Sequence, residues 1–346
     1  MKLNETDLSF NQIKNMVVDP RSTSPENPSV GQIYYDKIAS VIKVFTASGS
    51  SWIPLAMVRG LGTAGYFLLG AVGHPDRGLV YNDKLTFINE SANTLSNDSV
   101  ARFYCAGFSS AQASYAAGGS LSWEGTPSST TNTTKVIFSN DSVNTTTGLL
   151  GASLWSVGVN SETNGYACGA SSYGAGYTNT YKLNFSSDAV SAVTLTPSSC
   201  TMAAGLQDII GGYGYVMGGY TDLRKLNFSS DVWTTASYSG DSYGECGVNS
   251  YTAGYMVQNY LSGSVNKILF SNDAIASIAS TVLSNYNYLG TSGANSRDAG
   301  YLNRKDTAYS GSTNLDRLSF IDESISMIVS TLGNSRMGLA GSENLN

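Results

Sequence analysis

Six times along this chain a basic residue is followed by an apolar one, a variable one and a phenylalanine, after which the run closes on small polar and acidic residues. The first copy is Lys84-Leu85-Thr86-Phe87-Ile88-Asn89-Glu90. The others run from Lys135 to Asp141, Lys182 to Asp188, Lys225 to Asp231, Lys267 to Asp273 and Arg317 to Glu323. Alternation at a period of two predicts a strand. The Ser, Asn and Asp that follow favour a tight turn, because their side chains bond nearby backbone. Successive phenylalanines are separated by 51, 47, 43, 42 and 50 positions, a spacing at which internal repeats imply a propeller or a solenoid.

Each copy carries three further segments. Upstream lies a Gly-Tyr or Ser-Tyr strand, at Tyr66, Tyr115, Tyr166, Tyr215, Tyr255 and Tyr301. Downstream comes a short β-prone run, such as 190–195 or 275–283, and then a small-residue run such as Cys105 to Gly107, Ser156 to Gly158 or Ala340-Gly341. Four strands per unit predict an all-β chain, a six-bladed β-propeller of four-stranded blades spanning 63–346, with no long helix after residue 60. The Ala/Gly strand is expected innermost, where six strands converge and side-chain space is least. The first unit lacks an inner strand and the last ends on one, so residues 335–341 are expected to complete the blade that holds Tyr66 and remove its exposed edge.

Residues 1–30 differ in kind. Leu8, Phe10, Ile13, Met16 and Val17 form a short apolar series that ends at Asp19-Pro20, followed by a Pro-rich stretch that reads as an extended linker. Such a segment cannot bury itself and needs a partner surface or sister chains, so these five residues are the candidate attachment element. Residues 31–57 read as a small β module of three short strands, Gly31 to Asp36, Val41 to Thr46 and Ser51 to Leu55.

Composition narrows the chemistry. Of 346 residues, 41% are hydrophobic and 13% charged, which describes a folded chain with an uncharged polar surface. A formal charge of −6 gives no footprint for nucleic acid. Residues 1–20 lack the pattern of a secretory signal and no run approaches 18 apolar residues, so export and membrane insertion are not expected. Cys105, Cys168, Cys200 and Cys246 lack Cys-x-x-Cys spacing and are read as buried free thiols. With one histidine, His74, no metal site and no cofactor are expected.

No catalytic set stands out. His74 lies in a Gly-His-Pro-Asp-Arg run and reads as a turn residue, and the arginines do not fall at equivalent positions of the repeat. The acidic turns resemble the Asp-box of six-bladed sialidases, but that motif needs a glycine after the acid and no copy has one; they read as solvent-facing turns. The candidate ligand-binding residues are Trp123, Tyr173, Tyr177, Tyr260 and Tyr309, in the segments between the Gly-Tyr and Phe strands, among Ser, Thr, Asn and Gly. Aromatic plates ringed by hydroxyls and amides suit sugars, which have apolar faces and polar rims. The alternative is that each aromatic covers its own blade.

Tyr215-Val216-Met217-Gly218-Gly219, followed by Leu226 to Asp231 and Trp233-Thr234-Thr235, resembles a kelch-type blade. The other five units lack the tryptophan and three of the six lack the double glycine, so the likeness implies architecture only. Residues 31–55, with the preceding Pro-rich linker, resemble a β element of tailed-bacteriophage fibre and tail-appendage proteins. That resemblance implies a virion structural protein, assembled in the host cytoplasm, whose arm meets other virion proteins, often as a homo-oligomer such as a trimer. It implies a tail-fibre or tail-appendage subunit whose distal domain meets a host-surface carbohydrate. A head fibre or capsid decoration protein, and a glycan-degrading virion enzyme, are the alternatives.

Overall fold

The computed structural model describes residues 20–21, 24–26, 29, 32–36, 41–46 and 51–54, and from 63 onward all but 72–77, 123–127, 153–154, 169–178, 194–202, 219–221, 238–243, 259–263, 282–292, 308–309, 337 and 344–346. The chain divides into two compact units, Met1–Gly60 and Leu61–Asn346. In the first, β2 (Ile33–Asp36), β3 (Val41–Thr46) and β4 (Ser51–Pro54) form the expected antiparallel sheet. A fourth strand, β1 (Pro20–Arg21), lies where the apolar series ends and the stretch read as linker begins, and pairs parallel to β2, Pro20 opposite Tyr35. Proline's missing donor is tolerated on such an edge.

The second unit is a six-bladed β-propeller of four-stranded antiparallel blades, with no helix among the described residues. Blade 1 holds β5 (Ala64–Leu68), β6 (Asn82–Thr86) and β7 (Ser91–Thr94). Blade 2 holds β8 (Ala106–Ser109), β9 (Ala113–Ala117), β10 (Thr133–Ile137) and β11 (Ser142–Thr146). Blade 3 holds β12 (Val157–Asn160), β13 (Asn164–Cys168), β14 (Thr180–Asn184) and β15 (Val190–Ala192). Blade 4 holds β16 (Ala203–Asp208), β17 (Tyr213–Gly218), β18 (Asp222–Asn227) and β19 (Val232–Ser237). Blade 5 holds β20 (Gly244–Asn249), β21 (Ala253–Gln258), β22 (Ser264–Leu269) and β23 (Ala274–Thr281). Blade 6 holds β24 (Gly293–Asn295), β25 (Ala299–Thr307), β26 (Ser310–Ser319) and β27 (Ile325–Arg336). The last strand, β28 (Ala340–Glu343), returns to blade 1 as its inner strand, Ala340 opposite Leu68 and Glu343 opposite Gly65. Closure is thus interleaved as the register predicted, but the closing strand starts later than expected, because Arg336 still belongs to the outer strand of blade 6.

The inner strands pack backbone to backbone, which explains their glycines. A Cβ on Gly158 would overlap the carbonyl oxygen of Gly107, one on Gly205 that of Gly158, and one on Gly247 that of Gly205. Any larger residue at these positions would push neighbouring blades apart.

The acidic turns are not merely solvent-facing. Tyr166 and Lys182 stand directly opposite each other on β13 and β14, on one face of blade 3. Both reach Asp231 of blade 4, the hydroxyl at 2.9 Å and the ammonium at 2.7 Å, while the Tyr166 ring stacks on Phe228 with centroids 5.3 Å apart. The same latch joins Tyr66 and Lys84 to Asp141, Tyr115 and Lys135 to Asp188, Tyr215 and Lys225 to Asp273, and Tyr255 and Lys267 to Glu323. At the seam, Tyr301 and Arg317 reach Glu90. Each acid sits at a positive φ of 50 to 57° that aims it across the gap. The repeat phenylalanine is therefore the first residue of the turn and the next blade's contact for a tyrosine, rather than a strand residue.

Two arginines, contrary to the sequence reading, do share a position. Arg102 and Arg336 each lie four residues before an inner strand and are fully buried. Arg336 donates to the carbonyls of Leu69 and Tyr81 and pairs with Asp83. Arg102 donates to those of Gly118 and Asn132 and pairs with Asp98 at 3.6 Å. The equivalence is hidden in the sequence because one of the two blades is assembled from both ends of the chain.

Candidate functional site: the axial cavity

The six inner strands are edge strands, and alternate residues on them turn their backbone polar groups toward the axis. Ser110 N–H bonds Ala113 C=O, so the next position back, Ser109, points its N–H away from β9; it donates to Asn160 Oδ1 of blade 3 at 3.4 Å. The pattern continues around the ring: Asn160 N–H to Gln207 Oε1 at 3.3 Å, Gln207 N–H to Asn249 Oδ1 at 3.3 Å, and Asn249 N–H to Asn295 Oδ1 at 2.7 Å. Gln207 Nε2 then crosses the axis to the opposite blade and donates to Glu343 Oε1 at 3.1 Å, while Asn295 Nδ2 donates to Glu343 Oε2 at 3.3 Å. These polar side chains form a bar across one end of the axial channel.

Beyond the bar lies a cavity of about 110 Å³ whose walls are the axial glycines Gly107, Gly158, Gly205, Gly247, Gly293 and Gly341. At the N-terminal ends of the inner strands, the end termed the mouth, it is lined by Tyr104, Trp155, Ser156, Ala203 and Leu339. Glu343 is the one carboxylate among the described lining residues, and no basic side chain is among them. Cys105 also lines the cavity; burial pushes its thiol up to about 11, so it stays protonated, and it donates to Gly118 C=O at 3.3 Å.

The mouth carries backbone strain. Tyr104 and Trp155 each lie two residues before an inner strand, as does Gly338, and all three adopt left-handed φ, 55°, 54° and 67°. Glycine holds that conformation freely, whereas a side chain costs about 1–2 kcal/mol there. Tyr104 and Trp155 meet edge to face at 5.9 Å, packed with Phe103 and Ala71 in a small cluster on this side of the ring. Tyr104 N–H donates to Gly338 C=O at 2.7 Å, which ties blade 2 to the closing strand.

All the residues singled out in advance, Trp123, Tyr173, Tyr177, Tyr260 and Tyr309 for ligand and Leu8, Phe10, Ile13, Met16 and Val17 for attachment, lie outside the described residues, as do His74 and Cys200. Tyr104 and Trp155 were missed because they precede the small-residue runs instead of lying between the Gly-Tyr and Phe strands. Aligning Gly338-Leu339-Ala340 with Tyr104-Cys105-Ala106 and Trp155-Ser156-Val157 would have shown an aromatic where the closing unit has glycine.

No protein-family model matches the sequence, and neither does any curated protein.

Proposed function

We propose that this chain is a virion structural protein of a tailed phage, a tail-fibre or tail-appendage subunit whose propeller binds a host-surface glycan at the axial mouth. The observation that carries the binding reading is the pair Tyr104 and Trp155, held in left-handed backbone at the rim of a polar cavity where glycine would cost nothing. Strain of this kind persists where the surroundings over-determine it and gathers at ligand sites. An aromatic rim above amide, hydroxyl and glycine backbone groups matches the apolar faces and polar edges of sugars.

Gly65 pairs with Glu343, so the first propeller strand starts at the barred end of the axis. The virion assignment rests on the resemblance of residues 31–55 to phage fibre modules. Binding without cleavage is favoured over glycan degradation, because hydrolysis of a glycosidic bond ordinarily uses two carboxylates and the described lining of the cavity offers one.

A glycan array followed by product analysis on the best ligand tests the reading, with gold-labelled antibody locating the protein on particles. Retention of an intact glycan and label on the tail are expected. Reducing ends released from the ligand would favour the enzyme, and label on the capsid would favour a decoration protein.

A further inference from the structure

We propose that blade 6 carries a docking surface for a second copy of this chain, separate from the axial mouth and from the N-terminal arm. Among the described residues the three most exposed large apolar side chains are Val329 at 99%, Ile88 at 94% and Ile321 at 81%. Val329 and Ile321 belong to blade 6, and Ile88 lies in the turn of blade 1 whose Glu90 is held by Tyr301 and Arg317 of blade 6. They gather on one side of the ring.

The repeat marks these residues as departures. The position after the repeat phenylalanine is isoleucine at 88 and 321 and serine in the other four copies. Seven and nine residues after it, blade 6 has Met327 and Val329, where every other copy has serine, threonine or alanine. Met327 is 55% exposed, so neither it nor Val329 serves to fill the core. Local geometry pushes Val329 outward. Met327 pairs with Asp316 and Thr331 with Asn314, so four steps along β27 match two along β26 and the excess bulges. Ile328 turns into the cluster shared with blade 1, while Val329 beside it stays in solvent.

No charged side chain occurs from Ser324 to Ser335, although charge is the usual protection of an apolar outer strand. The bulge breaks the ladder that an added strand would need, so the surface suits side-chain packing and not strand addition.

Charge at the margin selects the occupant. Phe320 N–H donates to Asp298 C=O, which sets the turn holding Arg297 and Asp298 against the turn holding Ile321 and Asp322. Arg297 and Asp298 are 62% and 56% exposed, and Asp322 is exposed as well. The margin thus presents one cation and two anions beside an uncharged centre. Two copies related by a two-fold axis place centre on centre and Arg297 of each against the acids of the other. A uniformly acidic or basic partner would match only part of that margin. With one such patch per chain, the contact closes at two copies and does not propagate.

The test is sedimentation equilibrium of the full chain over a concentration series, for wild type, Arg297→Glu, and a fourfold variant with Ile88→Ser, Ile321→Ser, Met327→Thr and Val329→Thr. These replacements occur at the same positions of other copies, and the melting temperature checks that the variant is folded. Wild type is expected at twice the mass of the fourfold variant. Arg297→Glu, with the apolar residues intact, should weaken self-association about tenfold. Equal masses for wild type and the fourfold variant overturn the inference and leave the patch to a different chain. Unchanged association in Arg297→Glu overturns it too, since the charge pattern is what names a second copy. Should the fourfold variant fail to fold, Arg297→Glu, at an exposed turn, still decides.

Discussion

The hydroxyl of Tyr301 donates to Glu90 Oε1 at 3.2 Å, although the two residues are 211 positions apart. The ring of Tyr301 stacks on Phe87, with centroids 4.9 Å apart, and Arg317 approaches the same carboxylate at 3.4 Å. The seam between last and first blades is therefore built like the five seams between neighbours, and the chain's ends are held by the device that holds its middle.

Asp231 separates the charge of that device from its backbone geometry. Asp231→Asn retains a residue that tolerates left-handed φ but removes the ion pair with partly exposed Lys182, and should lower stability by about 1 kcal/mol. Asp231→Ala should cost about 1 kcal/mol more through strain. Equal melting temperatures for the two variants would mean that the turn conformation contributes nothing.

Two glycines should respond differently to alanine. Gly158→Ala drives a Cβ into the Gly107 carbonyl and should cost more than about 3 kcal/mol, or prevent folding. Gly212, at φ 76° with nothing near its missing Cβ, should cost about 1 kcal/mol, the strain alone. Denaturant unfolding of both variants checks the order.

The six latch tyrosines make stability sensitive to alkali. Burial, reinforced by the neighbouring carboxylate, raises the phenol pKa of Tyr66, Tyr115, Tyr166, Tyr215, Tyr255 and Tyr301 above the usual 10.0. The folded state thus holds protons that the unfolded chain releases above pH 10. Their contribution is complete below that pH and is lost as pH rises beyond it. The melting temperature should be level from about pH 7 to 9 and fall above 10, with these six tyrosinates appearing only on unfolding. Their titration within the folded protein, alongside exposed tyrosines, would contradict this.

A stop after Leu339 removes β28 and leaves β5 as an exposed edge. The whole propeller should melt earlier, in one transition. A truncated chain with the wild-type melting temperature would show that closure is dispensable.

The architecture was legible because it repeats: alternation around each phenylalanine, a Gly-Tyr strand before it and a small-residue run after it place all four strands of a blade. The latches were not, since Tyr66 and Asp141 belong to different units, 75 positions apart, and an acid in a turn looks the same whether it faces water or a neighbour. Part of the site was hidden for a related reason. Glu343 and Gln207 meet only because blades 1 and 4 are opposite each other in a six-membered ring, a fact of closure rather than of local pattern.

Trp155→Gly relieves the left-handed strain while removing the rim aromatic. Its stability loss should be smaller than the roughly 3–5 kcal/mol usual for deleting a large aromatic, because about 1–2 kcal/mol of strain is returned. Glycan affinity should nevertheless fall at least tenfold. Unchanged affinity in a folded variant would remove Trp155 from the site.

The most direct measurement is a crystal structure of the full chain with its strongest array ligand. The account predicts a sugar ring against Trp155 or Tyr104 at the axial cavity. Density for the ligand on the barred face, or on the outer edge of a blade with the axial mouth vacant, would contradict it.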